Sequence, residues 1–221
     1  MQPVSIGKRI VAMAFLAAGI GALLWVYLRD TPTPVALPEV STGTAPDDES
    51  VTAVVPSSDV VEPIPIPILG QADTLTELDG WLNTDANSLE ELRERNELTV
   101  VQFWTFGCFN CKNTLDALSR LYSDYGDQGV EIVGVHAPEF SYEADVDNII
   151  AAAAELGVTW PIALDTNKRN FHRWQEGPTG YWPRVYLIDA DNQIRFDKSG
   201  DGAANYAQLY DYVGRLLNGE A

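Results

Sequence analysis

The only two cysteines in this 221-residue chain, Cys108 and Cys111, stand three positions apart in the segment FWTFGCFNCKN. Two cysteines scattered at random would share that spacing about once in a hundred chains, so it is treated as meaningful. A disulfide closing so short a loop removes little chain entropy, which makes stabilisation a poor reason for it. Redox chemistry, half of a metal site and coincidence remain. A structural zinc site would want two more Cys or His ligands. The chain holds only His136 and His172, 36 residues apart and without paired spacing. Redox chemistry needs a nucleophilic thiolate and a second thiol within reach. A cysteine at a helix N-terminus meets free N–H groups and the positive end of the helix dipole, and both lower its pKa.

The surrounding pattern supplies that setting. Leu98 to Thr105 (LTVVQFWT) is a continuous β-branched and aromatic run that suits a buried central strand. Leu115, Leu118, Leu121 and Tyr122 recur at helical spacing, so a helix is predicted from about Cys111 to Tyr125. Cys108 precedes it and Cys111 opens it. A capping box at Ser88-Leu89-Glu90-Glu91 predicts a short helix to about Arg95. Val130 to His136 reads as a second buried strand. Val146 to Leu156 reads as a helix with Ile149, Ile150 and Ala153 on one face. Arg184 to Ile188 and Gln193 to Phe196 read as strands around a turn at Asp189-Ala190-Asp191-Asn192, and Tyr206 to Leu217 as a closing amphipathic helix. The order predicts an α/β sandwich around a mixed sheet.

Composition divides the chain into three: residues 1–29, 30–70 and 71–221. Ile10 to Leu28 is 19 residues without a charge, preceded by Lys8 and Arg9 and ending near Trp25 and Tyr27. As a helix it would span about 28 Å, close to the hydrocarbon core of a bilayer. The basic flank before it and the acidic sequence after it predict an uncleaved anchor with its N-terminus inside. A cleaved signal peptide fits less well: only Pro34-Val35-Ala36 comes near a cleavage site, and Pro34 suits it badly. Residues 30–70 carry seven acids, no base and eight of the thirteen prolines, the composition of an acidic, disordered linker. The remainder, 71–221, is the folded domain, with a net charge of −14. That acidity argues against nucleic acid, since no basic stripe is available to displace counterions.

The segment VVQFWTFGCFNCKNTLDAL resembles the active-site strand and helix of thioredoxin-like proteins. VGVHAPEFSYEADVDNI, GVTWPIALD and YWPRVYLID narrow the match. They resemble the membrane-anchored, extracytoplasmic TlpA-like group, and most closely the thioredoxin-like domain of DipZ-type proteins. The resemblance runs from about Gly80 to Leu217. It implies a thioredoxin-like three-layer sandwich with a central mixed sheet and a thiol–disulfide oxidoreductase activity, and no cofactor is expected. Cys108 would attack and Cys111 resolve. Trp104 matches the tryptophan that packs beside the active site, and the resemblance counts it among the substrate-binding residues. Pro183 matches a cis-proline facing the CxxC. The Trp182 backbone would pair with a bound substrate strand, and Phe109 and Asn110 would flank it. Glu139 matches a glutamate that takes part in proton transfer in some TlpA-like proteins, where a carboxyl group acts as base for the resolving cysteine.

Two departures bear on the chemistry. Gln102 occupies the strand position where thioredoxin carries a buried aspartate, which shifts weight toward Glu139 or water as proton acceptor. The dipeptide Phe109-Asn110 supplies no cation, so it does not decide between reductant and oxidant. Lys112 is the nearest positive charge, and His136 at the end of a strand reads as a satisfied structural histidine. The resemblance favours a reductant of protein disulfides at a bacterial cytoplasmic membrane, its domain in the periplasm or otherwise outside the cytoplasm. Such a reductant needs a separate electron donor of the CcdA/DsbD kind. Two rivals stand beside it. One is a thiol peroxidase, because Thr105 precedes Cys108 as in T-x-x-C. The other is a tethered binding module with a vestigial cysteine pair.

Overall fold

The structure, a computed structural model, describes residues 64–220. The expected anchor at Ile10 to Leu28 and the linker up to residue 63 lie outside the described residues. Among the described residues no helix is long and apolar enough to cross a membrane.

Seven strands form one mixed sheet in the order β1-β7-β6-β3-β4-β5-β2. They are β1 (Gly70–Gln71), β2 (Gly80–Leu82), β3 (Leu98–Trp104), β4 (Val130–His136), β5 (Ile162–Leu164), β6 (Arg184–Asp189) and β7 (Gln193–Ser199). β3 pairs parallel with β4, and β4 with β5; β3 pairs antiparallel with β6. All seven residues of β3 are buried. A strand covered on both faces has no need for polar alternation, which is why LTVVQFW reads as one apolar run.

Among the described residues six α-helices cover the two faces: α1 (Leu89–Glu94), α2 (Phe109–Lys112), α3 (Leu115–Tyr125), α4 (Val146–Glu155), α5 (Arg169–Trp174) and α6 (Ala203–Leu217). Side chains alternate across β3. Val100 and Trp104 join Leu118, Leu121, Ile149, Leu209 and Val213 on one side. Val101 and Phe103 join Leu89, Leu92, Phe171 and Trp174 on the other. Two apolar layers on a single sheet give the three-layer sandwich that the resemblance implied.

The observed elements refine the expected ones. Ser88 caps α1, accepting from Glu91 N at 3.1 Å, but the Glu91 carboxylate reaches back to Asn87 N rather than to Ser88. The helix expected from Cys111 begins earlier, at Phe109, with Cys108 as its N-cap, and it breaks at Asn113 and Thr114. The buried Thr114 hydroxyl causes the break. It donates to Cys111 O at 2.7 Å and accepts from Gln102 Nε2 at 2.8 Å, so the turn tightens onto a carbonyl that a straight helix would use four residues on. Ile150 is about half exposed while Ile149 and Ala153 are buried. At about 100° per residue Ile150 lies at the edge of the arc that Ile149 and Ala153 bury, about 60° beyond Ala153.

The end of the expected linker is bound to the domain. Ile66 is buried, and the Arg195 guanidinium donates to Ile66 O at 3.0 Å and Pro67 O at 3.2 Å while paired with Asp189 at 2.9 Å. β1 then pairs with β7. Proline-rich composition hid this, because the contacts are made by backbone carbonyls that every residue carries.

Asp165, at the end of β5, links the fold to the site. Its buried carboxylate accepts from Asn170 N at 3.2 Å, Asn170 Nδ2 at 3.0 Å and Phe171 N at 2.8 Å, satisfying the open N–H groups at the start of α5. Phe171 in turn stacks on Trp182 with ring centroids 4.1 Å apart. Asp165→Ala is expected to lower stability by about 1–3 kcal/mol, as for a lost buried cap. Urea denaturation measures the loss, and a rise in the quenching of tryptophan fluorescence reports the loosening of Trp182.

Candidate functional site

The cysteine pair sits where β3 ends and α2 begins. β3 runs to Trp104, the chain turns through Thr105–Gly107, and Cys108 N donates to Thr105 O at 3.3 Å. Cys108 and Cys111 are joined as a disulfide with Cα atoms 5.2 Å apart. As N-cap, Cys108 Sγ accepts from Cys111 N at 3.1 Å, a donor aimed at the sulfur that would carry negative charge as a thiolate. The two sulfurs differ in access: Cys108 is 9% exposed and Cys111 is fully buried. An incoming disulfide can reach Cys108, and Cys111 can reach only Cys108.

Cys108 opens onto a groove of about 360 Å³, which Phe109, Asn110, Glu139, Tyr181 and Trp182 also line. Phe109 and Tyr181 are exposed apolar walls. The Trp182-Pro183 bond is cis, as the resemblance implied. The Trp182 indole is held from within: its Nε1 donates to Ala137 O at 2.9 Å and its ring stacks on Phe171. A larger cavity, about 440 Å³, lies between α3 and α6 and is lined by neither cysteine.

Two expected roles change. Trp104 is 2% exposed and packs in the core against His136, so no substrate touches it from the groove. Glu139 lines the groove near Cys108, but its side chain is exposed rather than enclosed beside the buried Cys111 thiol. The buried carboxyl is Glu143, four residues on, in the 3-10 turn Ser141–Ala144. Nothing in the spacing of 32 acids marks Glu143, which falls within the segment VGVHAPEFSYEADVDNI.

Polar groups are buried on both sides of the pair. On one side Gln102 Nε2 donates to Thr114 Oγ1 and, at 3.2 Å, to Tyr206 Oη. Gln102 holds the backbone of Cys111 through Thr114 and has no acid group to take a proton. On the other side Thr105 Oγ1 and His136 Nε2 are 3.2 Å apart, both buried. Burial holds the His136 ring down to about 4, against the pull of the Glu143 carboxylate. Lys112 is exposed. Among the described residues no group of His, Cys, Asp and Glu side chains stands together as a metal site would.

The AhpC/TSA family model matches residues 74–197, more than half of the chain. The chain belongs to the AhpC/TSA family. The described residues have a thioredoxin-like fold. It is 37% identical over 150 residues to the protein DipZ of Mycobacterium tuberculosis, a match that covers 67% of this chain and 21% of DipZ. The chain thus spans about a fifth of the length of that relative. Among solved structures it is similar to a thiol:disulfide interchange protein DsbE from Chlorobium tepidum, with TM-score 0.57 and 17% identity over 69% of this chain and 99% of that one. A thioredoxin-like protein in its oxidised form matches with TM-score 0.53 and 26% identity over 71% of this chain and 97% of that one.

The depressed His136 value predicts a pH dependence of stability. The folded state keeps the ring neutral down to about 4, whereas the unfolded chain protonates it near 6.5. Between those values the unfolded state binds more protons, so this contribution is full above about pH 6.5 and is lost as pH falls toward 4. The loss is on the order of 3 kcal/mol. Urea midpoints measured across that window are expected to fall, and His136→Gln is expected to flatten the slope.

Proposed function

We propose that the chain is a membrane-tethered reductant of protein disulfides working outside the cytoplasm of a bacterium. The observation that carries the reading is the unequal exposure of Cys108 and Cys111 at a groove shared with Trp182. The Cys108 thiolate attacks a substrate disulfide, and one substrate sulfur leaves as a thiolate. The resulting mixed disulfide is then attacked by Cys111 at Cys108 Sγ, which releases the second substrate thiol. Two electrons pass to the substrate, and the pair ends as the Cys108–Cys111 disulfide. Phe109 and Asn110 flank the nucleophile, and the backbone at Trp182 supplies hydrogen-bonding groups to an extended substrate.

The charge-free run Ile10 to Leu28 supports a single-pass anchor, and residues up to 63 a tether that lets the domain reach its partners. With Lys8 and Arg9 on the inner side, the domain stands on the periplasmic or outer face. Electrons then come from a separate membrane protein of the CcdA/DsbD kind. The peroxidase reading is disfavoured by Thr105: its buried hydroxyl faces His136, and the neighbouring CxxC suits disulfide exchange.

The reduction potential of the pair in the full-length chain, equilibrated against glutathione or dithiothreitol buffers, tests the direction. A value near or below about −250 mV is expected; a value of about −120 to −180 mV would sink the reductant reading. Cys111→Ser is expected to accumulate mixed disulfides with substrate proteins, visible on non-reducing gels. Cys108→Ser is expected to form none and to lose disulfide reduction.

A further inference from the structure

Glu143 is fully buried, and its two oxygens differ. Oε2 accepts from Glu139 N at 2.6 Å and Phe140 N at 2.9 Å. Oε1 has no hydrogen-bond partner. A buried acceptor without a donor is rare in folded proteins and calls for an explanation. This one is packed against Gly107, the residue bonded to Cys108. A Cβ at position 107 would overlap Glu143 Oε1 and would stand 2.7 Å from the Tyr142 hydroxyl. A larger residue at 107 would have to push these side-chain ends aside, and what the glycine admits is a carboxylate packed against the residue before the nucleophile.

We propose that Glu143 opposes ionisation of Cys108 and thereby keeps the cysteine pair reducing. The inference deepens the reductant reading above and rests on it. A carboxylate packed against the residue before the nucleophile repels a thiolate, and because Glu143 and Cys108 are both largely withdrawn from solvent the repulsion is poorly screened. It works against the helix N-terminus and the Cys111 N–H, which favour the thiolate. A less stable thiolate means a less stable dithiol relative to the disulfide, and so a stronger reductant. Glu143 is a tuning residue; it acts through space on the sulfur that reacts.

The other groups around Cys108 do not duplicate this effect. Lys112, on the same helix, is exposed. Glu139 and Tyr181 line the groove and are exposed to solvent, which screens charge there. Tyr142 lies beside Gly107. Tyr206 reaches the pair only through Gln102 and Thr114. His136, buried by the end of β4, stays neutral above about pH 4 and offers Glu143 no countercharge at neutral pH. Among these groups, Glu143 is the one that is both an acid and shielded from water.

The test compares Glu143→Gln with the parent in the full-length chain. In a Cys111→Ser background, the rate of Cys108 alkylation by iodoacetamide is followed against pH. The midpoint is expected about one pH unit lower in the Glu143→Gln chain, a tenfold rise in thiolate below both midpoints. With both cysteines present, the equilibrium constant against glutathione is expected to move up to tenfold toward the dithiol, about 30 mV upward in potential. An unchanged midpoint and potential in a folded Glu143→Gln chain overturn the proposal. If that chain does not fold, Glu143→Asp draws the carboxylate back by one carbon. A smaller downward shift then supports the proposal, and an unchanged or raised midpoint overturns it. Alkylation needs no turnover, so the two readings fail separately. A chain that shows the shift yet reduces no disulfide refutes the functional reading alone. One that reduces disulfides but shows no shift refutes this inference alone.

Discussion

The site hangs from β3, a strand hydrogen-bonded along both edges and buried at every position. A strand so held cannot slip, because a one-residue shift would exchange its two faces and bury the wrong side chains in each layer. Its end is therefore a fixed point. The turn from Thr105 to Gly107 carries the chain from that point to Cys108, and α2 starts there with the sulfur as its cap. Reactivity at Cys108 depends on this placement: a cysteine elsewhere in the sandwich would lack both the donor from Cys111 N and the exposure to the groove.

The groove's far wall is fixed by a different chain of contacts. Asp165 satisfies the start of α5, α5 presents Phe171, and Phe171 stacks on Trp182 next to the cis bond at Pro183. The Trp182 indole is also tied to Ala137 O, just beyond β4. Two walls built from separate elements meet at Cys108, and each is braced by buried, directional hydrogen bonds. Such bracing orients reacting groups before a substrate arrives, which lowers the cost of reaching a reactive geometry.

Beneath the pair, the buried polar groups are unequal. The Gln102–Thr114–Tyr206 side is satisfied and has no acid group. The Thr105–His136–Glu143 side holds a neutral imidazole and a carboxylate with one oxygen unpartnered. Where thioredoxin keeps a buried acid on the central strand, this chain has the amide of Gln102, and its buried Glu143 stands in the turn after β4.

The amino-acid sequence by itself determined the central strands, the helices α1, α3, α4 and α6 to within a few residues, and the cysteine pair, but not α5. Those signals are local: apolar runs, helical spacing and the three-residue separation of two cysteines. Tertiary structure decided the rest. Three-residue strands such as Ile162–Leu164 carry too few positions for a period to show. The break at Thr114 depends on Gln102, twelve residues away, and the seating of residues 64–71 depends on Arg195, more than a hundred away. Glu139 and Glu143 are both glutamates on one short segment, and no local pattern ranks them. Burial and the approach of Gly107 separate them, and both arise only when the chain after β4 folds back over the turn before Cys108. Local periodicity reports which face of an element is covered, whereas the choice of acid depends on which distant backbone covers it.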